Sequence, residues 1–110
     1  MKNDQVYLLH IPDAIALIET YSSAGKDAYL AKTELQDAIV RRLEVIGEAS
    51  KRLSPELRGA YPDVRWRRIC GLRDVLIHDY MAVDIEAVWA VVESGIPTLK
   101  KCVEQILVEP

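Results

Sequence analysis

The sequence has no phenylalanine, two histidines, two cysteines, and only five glycines and five prolines among its 110 residues. Each scarcity excludes something. Cys70 and Cys102 are isolated, without close partner spacing, and read as buried reduced thiols rather than a disulfide or a metal site. The histidines, His10 and His78, form no Cys/His cluster, so no metal and no cofactor are expected. No apolar run approaches the length of a membrane span. Met1-Lys2-Asn3-Asp4 lacks the apolar block of a signal peptide, so a cytoplasmic protein without membrane association is expected. Few Gly and Pro, with an apolar set of Leu, Ile, Val and Ala, favour helices over sheets.

What is present is a core. Half of the residues are apolar, which argues against disorder, and the length suits one domain over residues 1–110. The net charge of −3 argues against generic polyanion binding, but it is unevenly spread. From Arg41 to Arg73 nine basic residues face four acidic ones, a balance of +5 that leaves −8 on the remainder. A basic middle on an acidic chain suits a local nucleic-acid site, or simply solvated helix faces.

Periodicity predicts an antiparallel all-α bundle. Asp4 to about Tyr21 reads as a first helix, with apolar positions recurring through Val6, Leu9, Ala14, Leu17 and Ile18, and with Pro12 expected to kink or restart it. His10 reads as a helix-face residue. Ser22 to Gly25 is a loop. Lys26 to Ala31 is a short helix. Thr33 is expected to cap the longest one, Glu34 to about Leu53, whose buried stripe is Leu35, Ile39, Leu43, Ile46, Ala49 and Leu53. Gly47 within it suggests a close backbone approach, and Glu48 is expected to pair with a neighbouring cation or to reach toward Arg73. Ser54-Pro55 opens a short helix ending near Gly59. Asp63 is a candidate cap for the helix from Trp66 to about Tyr80, in which Gly71 again permits a close contact. Asp84 caps Ile85 to Ser94, with Val88, Trp89 and Val92 inward. Gly95 ends that helix, and Pro97 restarts one with Leu99, Val103, Ile106 and Leu107 inward.

The stretch Arg73-Asp74-Val75-Leu76-Ile77-His78-Asp79-Tyr80 carries the chemistry. On a helix, Arg73 and Tyr80 lie about two turns apart and point nearly the same way, while His78 projects about 140° round from Arg73. Asp74, four residues before His78, can reach its ring. RNA is cut without metal when its own 2′-hydroxyl attacks the adjacent phosphate. The protein then needs a proton carrier and a charge stabiliser. His suits the first, with an unperturbed pKa of about 6.5. Arg suits the second, because its planar fork grips phosphate oxygens and stays charged. Asp74 orients His78 and favours its protonated form. Tyr80 offers a hydrogen bond, a stacking face or a modification point. One Arg and one His make a thin site, so a two-fold homodimer that lines one cleft with two of each is expected.

Arg73-x4-His78-x-Tyr80 resembles the signature of HepT-like toxins, a branch of the HEPN superfamily of helical ribonucleases. The resemblance runs through nearly the whole chain. It includes Arg41-Arg42-Leu43-Glu44-Val45-Ile46-Gly47-Glu48-Ala49, Tyr61-Pro62 with Trp66, Val83-Asp84, Trp89 and Ile96-Pro97-x-Leu99. Asp74 stands where the family usually has a polar residue, often Asn, and adds a negative charge near the phosphate position. The resemblance implies a HEPN-like bundle dimerising through the motif helices, and a metal-independent endoribonuclease of a type II/VII-like toxin–antitoxin pair. It implies catalytic roles for Arg73 and His78, with Asp74, Tyr80 and Glu48 in support. It also implies an MntA-like minimal nucleotidyltransferase as antitoxin, able to transfer AMP onto Tyr80. The rival expectations are a non-catalytic module that binds nucleotide or its nucleotidyltransferase partner, and a plain structural dimer.

Overall fold

The computed structural model describes residues 2–78 and 84–108, with side chains over 4–72 and 84–108. Among the described residues the chain is all-α, with no strand. The helices are α1 (Lys2–Ser22), α2 (Lys26–Ala31), α3 (Thr33–Lys51), α4 (Pro55–Ala60), α5 (Trp66–His78), α6 (Ile85–Ala90) and α7 (Ile96–Val108). A π-helical turn, Val91–Gly95, joins the last two. The main layers are α1 on α3, α3 on α5, and α7 on α1.

The core follows from helical spacing. Leu8, Ile11, Ile15 and Ile18 of α1 meet Ile39, Leu43 and Ile46 of α3, with Leu99 and Val103 of α7 in the same cluster. Val6, Leu9 and Leu17, which share the apolar repeat of α1, are exposed instead. Apolar residues occur on both faces of this helix, so periodicity alone does not choose the buried one. Pro12 sits inside α1 without ending it. An interior Pro costs a helix about 3 kcal/mol, and burial of Ile11 and Ile15 on either side, at about 1.5–3 kcal/mol each, offsets that cost. On α3 the predicted stripe is buried except for Leu35, which is half-exposed at the helix start. Gly47 and Ser50, small residues three apart, are both buried.

Several termini differ from expectation. Thr33 is the first residue of α3 rather than its cap; Lys32 holds that position without a side-chain hydrogen bond. Gln36 instead donates to the carbonyls of Tyr29 and Leu30 at 3.1 and 3.2 Å, satisfying the end of α2 from the start of α3. α5 starts at Trp66, with Arg65 rather than Asp63 before it. The chain does not stop at Gly95. The Ile96 amide reaches back five residues to the Val91 carbonyl, and Pro97 falls in the first turn of α7, where no amide donor is needed. Leu107, expected inward, is largely exposed near the end of α7.

One other expectation holds with an added partner. Ser54 caps α4, its hydroxyl accepting from the Leu57 amide at 3.2 Å, with Pro55 next. Asp4 of α1 is buried, and its carboxylate accepts from both the amide and the hydroxyl of Ser54 at 2.8 Å. Hydrogen bonds to a charged group contribute about 1.5–3 kcal/mol. They hold the start of α1 at the end of α3, which fixes the antiparallel pairing. Between α1 and α2 the chain turns at Gly25, with φ 94° and ψ 176°.

Candidate active site

α5 is a continuous helix from Trp66 to His78. Its start is anchored by Trp66, buried, whose indole donates to the Tyr61 carbonyl at 3.0 Å. One turn later an Arg58 Nη of α4 donates to Cys70 Sγ at 3.8 Å. Arg73, Asp74 and His78 lie on the last two turns. Tyr80 lies outside the described residues, as do the side chains of Arg73, Asp74 and His78.

The helical register still relates these positions to described neighbours. Arg73 falls seven residues after Trp66 and four after Ile69, on the stripe that these buried residues occupy. His78 falls seven after Gly71 and four after Asp74, on the stripe of Gly71 and the exposed Arg67. A Cβ built at Gly71 meets nothing within 4 Å, so this glycine is not required by packing among the described residues. Along the axis Arg73 and His78 are about 7.5 Å apart.

The far side of the motif is pinned as well. The Asp84 carboxylate accepts from the Glu86 and Ala87 amides at 3.0 and 3.2 Å, capping α6. Tyr29, fully buried on α2, donates its hydroxyl to the Ile85 carbonyl at 2.8 Å and tilts its ring 4.9 Å from that of Trp89. Burial, then the charges of Glu86 and Asp84, push the phenol up to about 12, so it remains a donor. The start of α6, just after residue 83, is thus anchored.

Glu48 lies on α3. It pairs with Arg52 one turn on at 3.2 Å and lines a shallow groove with Tyr7, His10, Arg41 and Glu44 where α3 meets α1. His10 is exposed on α1. Cys102 is buried and Cys70 partly so, both free; burial, helped by Asp63, pushes the Cys102 thiol up to about 11. Among the described residues no three His, Cys, Asp or Glu side chains are grouped to hold a metal ion. None of the described helices is long and apolar enough to cross a membrane.

One feature was not singled out from the sequence. A groove of about 360 Å³ lies between the first turns of α5 and the π-helical turn, with Arg65 and Arg68 on one wall and Ser94 and Thr98 on the other. In the sequence its walls show only separately, as Arg65 and Arg68 and as two hydroxyls four apart.

Comparison with known proteins points one way. The family described as "Ribonuclease HepT-like" matches residues 11–106. A Thermococcus cleftensis protein named "Probable ribonuclease HepT" is 38% identical over 101 residues, covering 91% of this chain and 92% of its own. One from Caldanaerobacter subterraneus subsp. tengcongensis, named a "Putative RNase", is 39% identical over 108 residues, covering 97% of this chain and 96% of its own. A Methanocaldococcus jannaschii protein named "Gamma-glutamylcyclotransferase and putative RNase" is 40% identical over 109 residues. The match takes in 98% of this chain but spans only about half, 49%, of that longer protein. No solved structure matches at a significant level. A helical chain aligned nearly end to end with the Thermococcus and Caldanaerobacter proteins belongs to the HepT-like ribonuclease family of the HEPN superfamily.

Proposed function

We propose that this protein is the toxin of a toxin–antitoxin pair, an endoribonuclease that cuts RNA without a metal at a site shared by two copies of α5. One observation carries the reading. In a chain of a ribonuclease family, α5 stays helical through Arg73, Asp74 and His78, so cation, carboxylate and imidazole keep their spacing on one rigid element.

In the reaction the RNA 2′-oxygen bonds to the adjacent phosphorus as the bond from phosphorus to the 5′-oxygen breaks. One His78 takes the 2′-hydroxyl proton, and the second copy's His78 gives a proton to the departing 5′-oxygen. Arg73 stabilises the charge on the phosphorane oxygens. Asp74 orients the imidazole, Tyr80 contacts the phosphate, and Glu48 acts from α3 at one remove. The products are a 2′,3′-cyclic phosphate and a 5′-hydroxyl. Purified protein incubated with RNA in excess EDTA is expected to leave those ends. Fragments ending in 3′-hydroxyls would contradict the mechanism.

The dimer reading makes Gly71 informative. A helical Gly costs about 1 kcal/mol relative to Ala, and open space beyond Gly71 means that packing among the described residues does not require it. A second copy's backbone approaching there would. Gly71→Ala is expected to raise protomer stability by about 0.5–1 kcal/mol in urea melts while weakening self-association in sedimentation. A variant that gains stability and dimerises normally places the interface elsewhere.

Neutralisation follows from the same site. The Tyr80 phenol oxygen attacks the α-phosphorus of ATP in the active site of a nucleotidyltransferase partner, and pyrophosphate leaves. The attached AMP is anionic and occupies the phosphate position beside Arg73. Intact-mass measurement after co-expression with an MntA-like partner is expected to show AMP on the wild type and none on Tyr80→Phe; equal labelling of both would move the modification off Tyr80.

A further inference from the structure

We propose that the groove between α5 and the π-helical turn holds one nucleotide of the RNA strand flanking the cut, and reads its base. The inference rests on the ribonuclease reading and extends it to substrate selection.

The groove has the size of a small-ligand site, at about 360 Å³. Its floor is apolar, made by Ile69, Leu72 and Val91, and suits the face of a base. Its two polar walls differ in kind. Arg65 and Arg68 are exposed donors, and among the described residues neither is joined to a carboxylate by an ion pair. That leaves their forks for phosphate oxygens. On the opposite wall both hydroxyl protons are already committed. Ser94 donates to the Ala90 carbonyl at 2.9 Å and Thr98 donates to the Ser94 carbonyl at 3.1 Å. Their remaining lone pairs accept, as does the Asp63 carboxylate at the rim. A wall of acceptors favours a base that carries an exocyclic amine, as A, C and G do, over uracil, which has none.

The backbone keeps the groove open. Gly95 lines it, and a Cβ there would touch Val91 and Ile69 at 3.5 and 3.9 Å, ordinary contact, so packing does not demand glycine. No positive φ demands it either. What a side chain at Gly95 would do is fill the floor. A π-helical turn is rare and recurs at functional sites. Placement fits the same strand, because Arg68 precedes Arg73 by five residues on α5, about 7.5 Å along the axis, and Arg65 directly precedes that helix.

The test uses a His78→Ala background for binding and the active protein for cleavage. A labelled single-stranded oligoribonucleotide is the probe. Arg65→Ala with Arg68→Ala is expected to weaken binding about tenfold or more and to reduce the log–log salt slope by about 1–1.5. In the active protein the pair raises KM far more than it lowers kcat. Gly95→Leu, which changes no charge, is expected to erase the preference against uracil beside the cut. Lys32→Ala with Lys101→Ala removes the same charge outside the groove and serves as control. If wild type binds and cuts RNA while the arginine pair behaves as the control and no base preference exists, the groove proposal alone is overturned. If wild type cuts no RNA, the ribonuclease reading falls and takes this one with it.

Discussion

His78→Ala is expected to lower RNA cleavage by about 10²–10⁴-fold, the range over which a positioned proton carrier accelerates a reaction. It is also expected to relieve growth arrest on induction. The large effect follows from the scarcity of histidine in the chain. The chain has one other histidine, His10, exposed on α1 in the groove beside Glu48 and away from α5. No second histidine lies on α5 to take over the proton. Because each copy would supply an imidazole to one shared cleft, the substitution removes the acid and the base together. Mixed dimers provide a sharper reading. A dimer that pairs one wild-type copy with one substituted copy keeps one of the two roles, and its rate should lie far nearer the double variant than half of wild type. Full cleavage by the homodimeric variant, with RNA substrate and product ends unchanged, would remove His78 from the chemistry. Circular dichroism should show an intact helical fold throughout.

Tyr29→Phe is expected to lower the unfolding free energy by about 0.5–1.5 kcal/mol, the net contribution of one intramolecular hydrogen bond, because it removes the bond from the phenol to the Ile85 carbonyl. The ring contact with Trp89 survives, so the loss isolates the hydroxyl. A pH dependence follows from the same environment. The folded phenol ionises near 12 rather than near its ordinary value of 10. A raised folded value means that its contribution is complete below about pH 10 and disappears as pH climbs toward 12. Cys102, raised from 9.0 to about 11, acts in the same direction from about pH 9. Urea midpoints measured from pH 7 to 12 should therefore fall steeply above pH 9 in the wild type, and less steeply above 10 in Tyr29→Phe. Parallel curves would mean that the phenol is not held as described. Tyr29 also ties α2 to the start of α6, which bounds the far side of the motif. Cleavage by the variant should drop by more than its folded fraction.

Much of the fold was legible because α-helical periodicity is strong where one face alone is apolar. The α3 stripe and the Ser54-Pro55 and Asp84 caps are cases in which local chemistry and tertiary position agree. α1 was legible as a helix but not as a face, since Val6, Leu9 and Leu17 repeat as well as Leu8, Ile11, Ile15 and Ile18. Thr33 and Asp63 failed as caps by position: the extended Lys32 precedes α3, which already includes Thr33, and Arg65 stands directly before α5, two residues past Asp63. Gly95 followed by Pro97 looked like a break, yet the wider turn absorbs Gly95 and Pro97 falls in the first turn of α7. The motif was legible as spacing, through Arg73, Asp74, His78 and Tyr80, and the helix extends through the first three. The groove was not legible, because its walls come from residues some thirty positions apart, brought together only by packing.

The turn at Gly25 shows a different kind of requirement. Nothing lies within 4 Å of a Cβ built there, so glycine does not supply room. Its φ of 94° and ψ of 176° belong to the region that L-residues avoid; reflected, the same angles are an ordinary extended strand. The position is therefore chosen by chirality. A mirror-image alanine inserted by chemical synthesis matches that backbone without strain, where the natural enantiomer costs about 1–3 kcal/mol.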